Sequence, residues 1–369
     1  MCTNLLRKQS RENFQEKVSA RTMDFGTITK PFPVTLKPNM VIYPRKREFP
    51  IRSSFIEKLE EDFRLFPQKP LNWTNKYGFA AIDVGPCIFN EIPFKVESIS
   101  PIFLDGVNEK GLSAASLWLS GSQYQKESVS GNNLMFLDVV GYVLGMCATV
   151  SEVKSTLSTI NVVCPSKFLM NYPAHYIFID SDVDSPALVV EYTNGSPSFY
   201  EVPNGVLTNE PAYPEMLKKL DKYKSLTVYQ KKPNDLPGLF DLPADSSAIS
   251  RFVRATKFVE SIYAPEDIQK SISLSDVIIQ NIQVPLGTVV EETSNRILDY
   301  TQWSVLRDHL NLVYYYKTFD NQALKKLDLT LIDFEVTDIV SIPISTGEWN
   351  INETKKYTSP KKSSEYSSF

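Results

Sequence analysis

The residues with most chemistry to offer stand at the start of the chain, in Met1-Cys2-Thr3. Loss of Met1 would leave Cys2 with a thiol and a free α-amine on one Cα. The thiol is the most nucleophilic side chain near neutral pH. The amine, with a reference pKa of about 7.7–8.0, is a usable base there. One residue would then supply nucleophile and base together, which suits acyl transfer through a covalent intermediate. Arg21 and Asp24 follow in Ala20-Arg21-Thr22-Met23-Asp24-Phe25. An arginine near a thiol favours the thiolate, and a carboxylate near an α-amine holds it in place. The plainer alternative is an incidental small residue behind Met1 and an ordinary strand-edge ion pair.

The elements that must position these groups can be read in order. Val18 to Phe25 has strand character, and a period of two puts Arg21 and Met23 on one face and Asp24 on the other. Val34 to Tyr43 reads as a strand. A helix is expected from Ser54, with Phe55, Ile56, Leu59 and Phe63 on one face, ended by Pro67 and Pro70. Tyr77 to Val84 returns to strand, Asp105 to Gly111 reads as a turn, and Leu112 to Leu119 is a strand of small residues. Helices are expected at Leu134 to Met146 and Val150 to Ile160. Tyr176 to Asp180, Leu188 to Tyr192 and Phe199 to Val202 form a meander with Asn194-Gly195 as its hairpin turn. Val206 to Asn209 is a short strand ending in an amide before Glu210-Pro211.

Residues 218 to 245 are charged and Pro-rich, a surface excursion. Ser246 or Ser247 starts a helix with a stripe of Phe252, Ala255, Val259 and Ile262. Arg251 and Arg254 lie off that stripe, which by itself reads as a solvated face. Ser275 to Ile282 is a further helix, with Ser273 or Ser275 as N-cap. Tyr300 to Leu306, Leu312 to Thr318 and Leu327 to Ile332 read as paired strands. Antiparallel strands with helices segregated between them give a layered α+β fold.

Composition sets outer bounds. The chain has 369 residues, 42% of them hydrophobic, enough for one large domain over 2–354. The Lys/Ser-rich run 355–369 reads as a disordered tail. A net charge of −4 argues against nucleic acid as a partner. Of four cysteines, Cys2, Cys87, Cys147 and Cys164, none has CxxC spacing, and Cys147 and Cys164 read as buried structural thiols. With His175 and His309 the only histidines, neither a metal site nor a cofactor is expected. Residues 1–30 hold no apolar run of signal-peptide type, so neither a leader nor a membrane span is expected and a cytoplasmic address is. A reducing compartment would suit a free thiol.

Six blocks in order then resemble the choloylglycine hydrolase family, which includes conjugated bile salt hydrolases and penicillin V acylases. They are Cys2-Thr3; Arg21-Thr22-Met23-Asp24; Asp105 through Leu112; Gly205 through Asn209 with Pro211; Ser250-Arg251-Phe252; and Thr301-Gln302-Trp303 with Tyr314-Tyr315-Tyr316. The resemblance implies a four-layer αββα N-terminal-nucleophile hydrolase fold and hydrolysis of the linear amide of a small N-acyl substrate. It casts Cys2 as nucleophile, its amine as base, Arg21 and Asp24 as the groups that set it up, and Arg251 as a steadying cation. The oxyanion hole would combine the Asn209 side-chain amide with the backbone N–H of Trp118. At that position bile salt hydrolases typically carry Asn and penicillin V acylases Tyr. With Met23, the Trp118 ring would wall the substrate pocket and favour a flat or alkyl acyl group over a hydroxylated steroid. The segment around 48–73 looks like a helical insertion, and the excursion at 218–245 looks shorter than the loop through which tetrameric relatives assemble, leaving a homo-oligomer open. Within the family, penicillin V, conjugated bile salts and N-acyl homoserine lactones are the competing substrates. A catalytically silent binding protein on the same fold is the alternative outside it.

Overall fold

The computed structural model describes residues 1–11, 13–28, 36–49, 67–85, 87, 101–165, 173–229, 238–291, 297–336, 338–353 and 355. Two sheets face each other. In chain order their strands are β1 (Cys2–Arg11), β2 (Phe14–Ile28), β3 (Asn39–Tyr43), β4 (Phe79–Asp83), β5 (Phe103–Asn108), β6 (Ser113–Trp118) and β7 (Ala174–Ile179). There follow β8 (Ala187–Thr193), β9 (Ser196–Val202), β10 (Val289–Glu291), β11 (Ile297–Asp308), β12 (Val313–Thr318), β13 (Lys325–Asp328) and β14 (Val340–Pro343). The first sheet runs β1-β2-β11-β12-β13, with β10 also on β11. The second runs β9-β8-β7-β6-β5-β4-β3-β14.

Side-chain alternation along the strands sorts the core into two. In β4, Ala80 and Ile82 join Leu5, Leu6, Val305 and Ile279 in one cluster, while Phe79 and Ala81 join Phe103, Val140 and Leu144 in the other. Two helices, α1 (Val139–Met146) and α2 (Val150–Leu157), cover the second sheet. Gly106 lets α1 come close, because a Cβ there would sit 2.6 Å from Leu144 Cδ1 and 2.8 Å from the Ala80 carbonyl. After α3 (Tyr213–Leu220), the helices α4 (Ala248–Ser261) and α5 (Ile268–Gln280) pack on β1 and β2. The layer order is therefore helix, sheet, sheet, helix, as the resemblance implied. Among the described residues no helix is long and apolar enough to cross a membrane.

Several expectations are corrected. Asp105 lies in the fully buried strand β5, not in a turn. Its Asp-Gly dipeptide carries a turn signal that burial between two neighbouring strands overrides. Asn133–Met135 is a strand paired in parallel with Asn161–Val163, so the helix expected from Leu134 starts only at Val139. The helix expected at Ser275 begins at Ile268, capped by Asp267 through a bond from the Lys270 N–H. Ser275 is buried in its interior, within 3.5 Å of Arg7. Lys325–Asp328 forms the last strand of the first sheet, and Leu329–Leu331 turns into a 3-10 helix. Cys164 is only half-buried, whereas Cys147 is buried with its thiol pushed up to about 11 by that burial. The helix expected from Ser54 and most of the tail fall outside the described residues, but Glu48–Phe49 pairs with Trp73–Thr74, so the intervening segment leaves and returns at one place.

Just past β11, His309 is fully buried, its Nδ1 donating to the Gly111 carbonyl at 2.8 Å and its Nε2 accepting from Ser19 Oγ at 2.8 Å. Burial lowers its pKa to about 3. A base whose pKa falls on folding contributes stability that is complete above its unfolded value, about 6.5, and is lost as pH drops toward the folded value. Urea unfolding should therefore show stability falling below about pH 6.5 by up to roughly 1.4 kcal/mol per unit from this group. His309→Gln should flatten that slope, and equal slopes in both proteins would refute the assignment.

Candidate active site

The β1–β2 hairpin sets Cys2 opposite Met23, Thr3 opposite Thr22 and Asn4 opposite Arg21. One face thus gathers Cys2, Met23 and Arg21, as the period of two predicts. Cys2 is 2% exposed. Its Sγ lies 3.3 Å from Met23 Sδ and 3.8 Å from Arg21 Nη2. Arg21 is held by the Leu104 carbonyl at 2.6 Å, by Asp105 Oδ2 at 2.8 Å and by the Ser116 carbonyl. Asp105 also accepts from Arg307 and, at 2.5 Å, from the Tyr314 hydroxyl.

On the opposite face Asp24 accepts from Thr301 Oγ1 at 2.5 Å and Thr22 Oγ1 at 3.0 Å, with Arg251 Nη1 at 3.7 Å. Burial raises its pKa, opposed by Arg251 and the two hydroxyls. The Asp24 carboxylate is thus committed to these three groups, and it is Asn209 that meets the Cys2 nitrogen. Asn209 Oδ1 accepts from the Cys2 N–H and from Arg251 Nη2, both at 2.7 Å. Its Nδ2 donates to the Trp118 carbonyl at 2.9 Å. An arginine only donates and a carbonyl only accepts, so the orientation of this amide is fixed by its partners. One Nδ2 proton remains beyond the one given to Trp118.

Arg251 is the main correction at the site. Read as solvent-facing from the helical stripe, it is 0% exposed. It donates to the Ser246 and Cys2 carbonyls, Thr3 Oγ1 and Asn209 Oδ1. The helix α4 therefore has two buried faces, an apolar one and one that reaches the start of β1. Trp118, at the end of β6, is half-buried and meets Asn209 through its carbonyl.

Beyond Arg251, sequence reasoning did not pick out the residues that hold Asn209. The segment Val206 to Asn209 is not the strand expected but a single antiparallel bridge to β1, bonded between Asn4 and Leu207 in both directions, at 2.8 and 3.1 Å. His175 Nε2 donates to the Thr208 carbonyl at 2.9 Å, and its Nδ1 lies 2.9 Å from Glu191. Thr208 Oγ1 donates to the Ala248 carbonyl at the start of α4. Arg21 and Arg307 share the single carboxylate of Asp105, so the guanidinium beside the sulfur is only partly neutralised, while Arg251 faces Asp24.

Comparisons with known proteins bear on the family and the fold. The family profile "Linear amide C-N hydrolases, choloylglycine hydrolase family" matches residues 2–342. A bile salt hydrolase/transferase of Lactiplantibacillus plantarum is 28% identical over 258 residues, covering 66% of this chain and 78% of that protein. A penicillin V acylase of Pectobacterium atrosepticum is 26% identical over 323 residues, covering 79% and 80%. The structure of a penicillin V acylase from Agrobacterium tumefaciens superposes with a TM-score of 0.70 at 23% identity, covering 93% of this chain and 91% of that one. The α+β architecture is accordingly the N-terminal-nucleophile hydrolase fold. The chain belongs to the choloylglycine hydrolase family and is a hydrolase of linear amide C–N bonds.

Proposed function

We propose that Cys2, freed of Met1, cleaves the amide of a small N-acyl compound through a thioester. The observation that supports this most is the placement of the Cys2 sulfur beside Arg21 while its nitrogen rests on Asn209. The α-amine takes the thiol proton, and the thiolate adds to the amide carbon. Negative charge collects on the carbonyl oxygen. The free Nδ2 proton of Asn209 and the Trp118 N–H are the proposed donors to it. Collapse breaks the C–N bond as the protonated amine of Cys2 gives its proton to the leaving nitrogen. Water then adds to the thioester and releases the acid, restoring the thiol. Asp24 and Arg251 act by fixing β1 and Asn209, and Met23 and Trp118 line the acyl side.

Intact mass spectrometry tests the reading directly. The expected result is a chain lacking Met1, with an acid-quenched adduct of one acyl group mapping to Cys2. Turnover without such an adduct in rapid-quench samples, or with Met1 retained throughout, would overturn it. Penicillin V and conjugated bile salts head the substrate panel because the relatives are named for them. Asn209→Ala should reduce kcat by about 10²- to 10³-fold with a smaller change in KM. An effect confined to KM would make Asn209 a binding residue instead.

A further inference from the structure

Met1 fills a place that its removal opens. Its carbonyl accepts from the Asp24 N–H at 2.8 Å, and its ammonium donates to the Asp24 carbonyl at 2.6 Å. The same ammonium lies 3.9 Å from Asp299 Oδ2. Asp299 is 8% exposed and stands on β11 opposite Gly26. A Cβ on Gly26 would come within 2.8 Å of Asp299 Oδ1, so the glycine makes the room that this carboxylate uses. Once Met1 is gone, a donor, an acceptor and an anion in this small space all lose their partner together. Polar groups at such depth require another.

The direction matters as much as the vacancy. Around the Cys2 nitrogen, one direction leads to its own Cα and another to Asn209 Oδ1 at 2.7 Å. The third is the bond to Met1. Cutting that bond opens the line along which the Cys2 amine can pass its proton to a leaving nitrogen. The amine half of a cleaved amide therefore runs into the volume that Met1 occupied.

We propose that this slot is the subsite for the leaving amine and that it selects amines carrying a second, protonated nitrogen, as in N-acylated diamines. The inference rests on the Cys2 mechanism above. The second ammonium replaces that of Met1, donating to the Asp24 carbonyl and facing Asp299. An anionic amine such as glycine would instead set its carboxylate against the Asp299 carboxylate and the Asp24 carbonyl oxygen.

The test uses the Met1-free chain with two acyl series, phenoxyacetyl and decanoyl, each as the amide of ethylenediamine, propylamine and glycine. Within a series, kcat/KM for the ethylenediamine amide should exceed that for the propylamine amide by about tenfold, with the glycine amide lowest. Asp299→Asn should bring the first ratio close to one. Gly26→Ala, which crowds the carboxylate without removing it, should lower it part of the way. Should Asp299→Asn fail to fold, the parent protein still decides, since the ethanolamine amide of each series, equal in size but uncharged, must then react about as slowly as the propylamine amide. Equal rates on the three amides, a preference for glycine, a ratio that survives in Asp299→Asn, or an ethanolamine amide as fast as the ethylenediamine amide would overturn the subsite and leave the Cys2 mechanism standing. No hydrolysis of any of the six amides together with no adduct at Cys2 would overturn both.

Discussion

Turnover by Cys2→Ala should fall to background, while its urea midpoint should stay close to that of the parent chain. The contacts that place residue 2 are largely made by backbone. Its N–H reaches Asn209 and its carbonyl receives Arg251, and both survive truncation of the side chain. What is lost is one buried sulfur against Met23 and Arg21. Removing a nucleophile that works as a unit with its base costs on the order of 10⁶-fold in kcat. The same truncation leaves a void smaller than that of a core leucine, whose loss costs about 2–5 kcal/mol. Cys2→Ser keeps the shape but puts a much weaker nucleophile beside the same amine, so it should be nearly inactive. Rates close to the parent's in Cys2→Ala, measured by amine release, would refute the assignment.

Asp105→Ala should be the most destabilising single change near the site. Its carboxylate is 0% exposed and serves Arg21, Arg307 and the Tyr314 hydroxyl. Arg307 is 1% exposed, with Ser19 Oγ as its other side-chain partner at 3.0 Å. Removing the anion leaves two guanidinium groups in a dry interior without their shared counter-charge. Breaking a buried pair from one side typically costs about 3–5 kcal/mol. Activity should fall as well, because Arg21 would lose one of the anchors that hold it beside Cys2. Asp105→Asn keeps an acceptor but not the charge and should lie between. A loss under about 1 kcal/mol in chemical denaturation of Asp105→Ala would show that the network is not what holds these arginines.

What the sequence made legible was local. Alternation along β2 told which side chains share a face with Cys2, and Asn194 and Gly195 both adopt the positive φ that their hairpin turn requires. The strand β12 and the helix capped by Ser247 were equally plain. What stayed hidden depended on partners far along the chain. A helical wheel sets Arg251 outside the apolar stripe, but nothing in the wheel reveals that Cys2, Thr3 and Asn209 wait on that side. Asp105 looked like turn chemistry because its partners Arg307 and Tyr314 lie about two hundred positions away. Without knowing that β5 would be buried, Asp-Gly was the better local guess. The six family blocks supplied what pattern could not, since their order along the chain does not require knowing which residues touch.

The placement of β11 against β2 also decides when β2 gains its second neighbour. The neighbour that closes over Asp24 is Thr301, made 277 residues later. At about 5–20 residues per second on the ribosome, that gap lasts roughly 14 to 55 s. A two-stranded hairpin alone is marginally stable in water, so the β1–β2 hairpin that carries Cys2 and Asp24 waits that long for the strand that buries it. Completion of the sheet then ends that wait. Assembly of the candidate site is thus a matter of timing, ordered by how far apart two neighbouring strands are encoded.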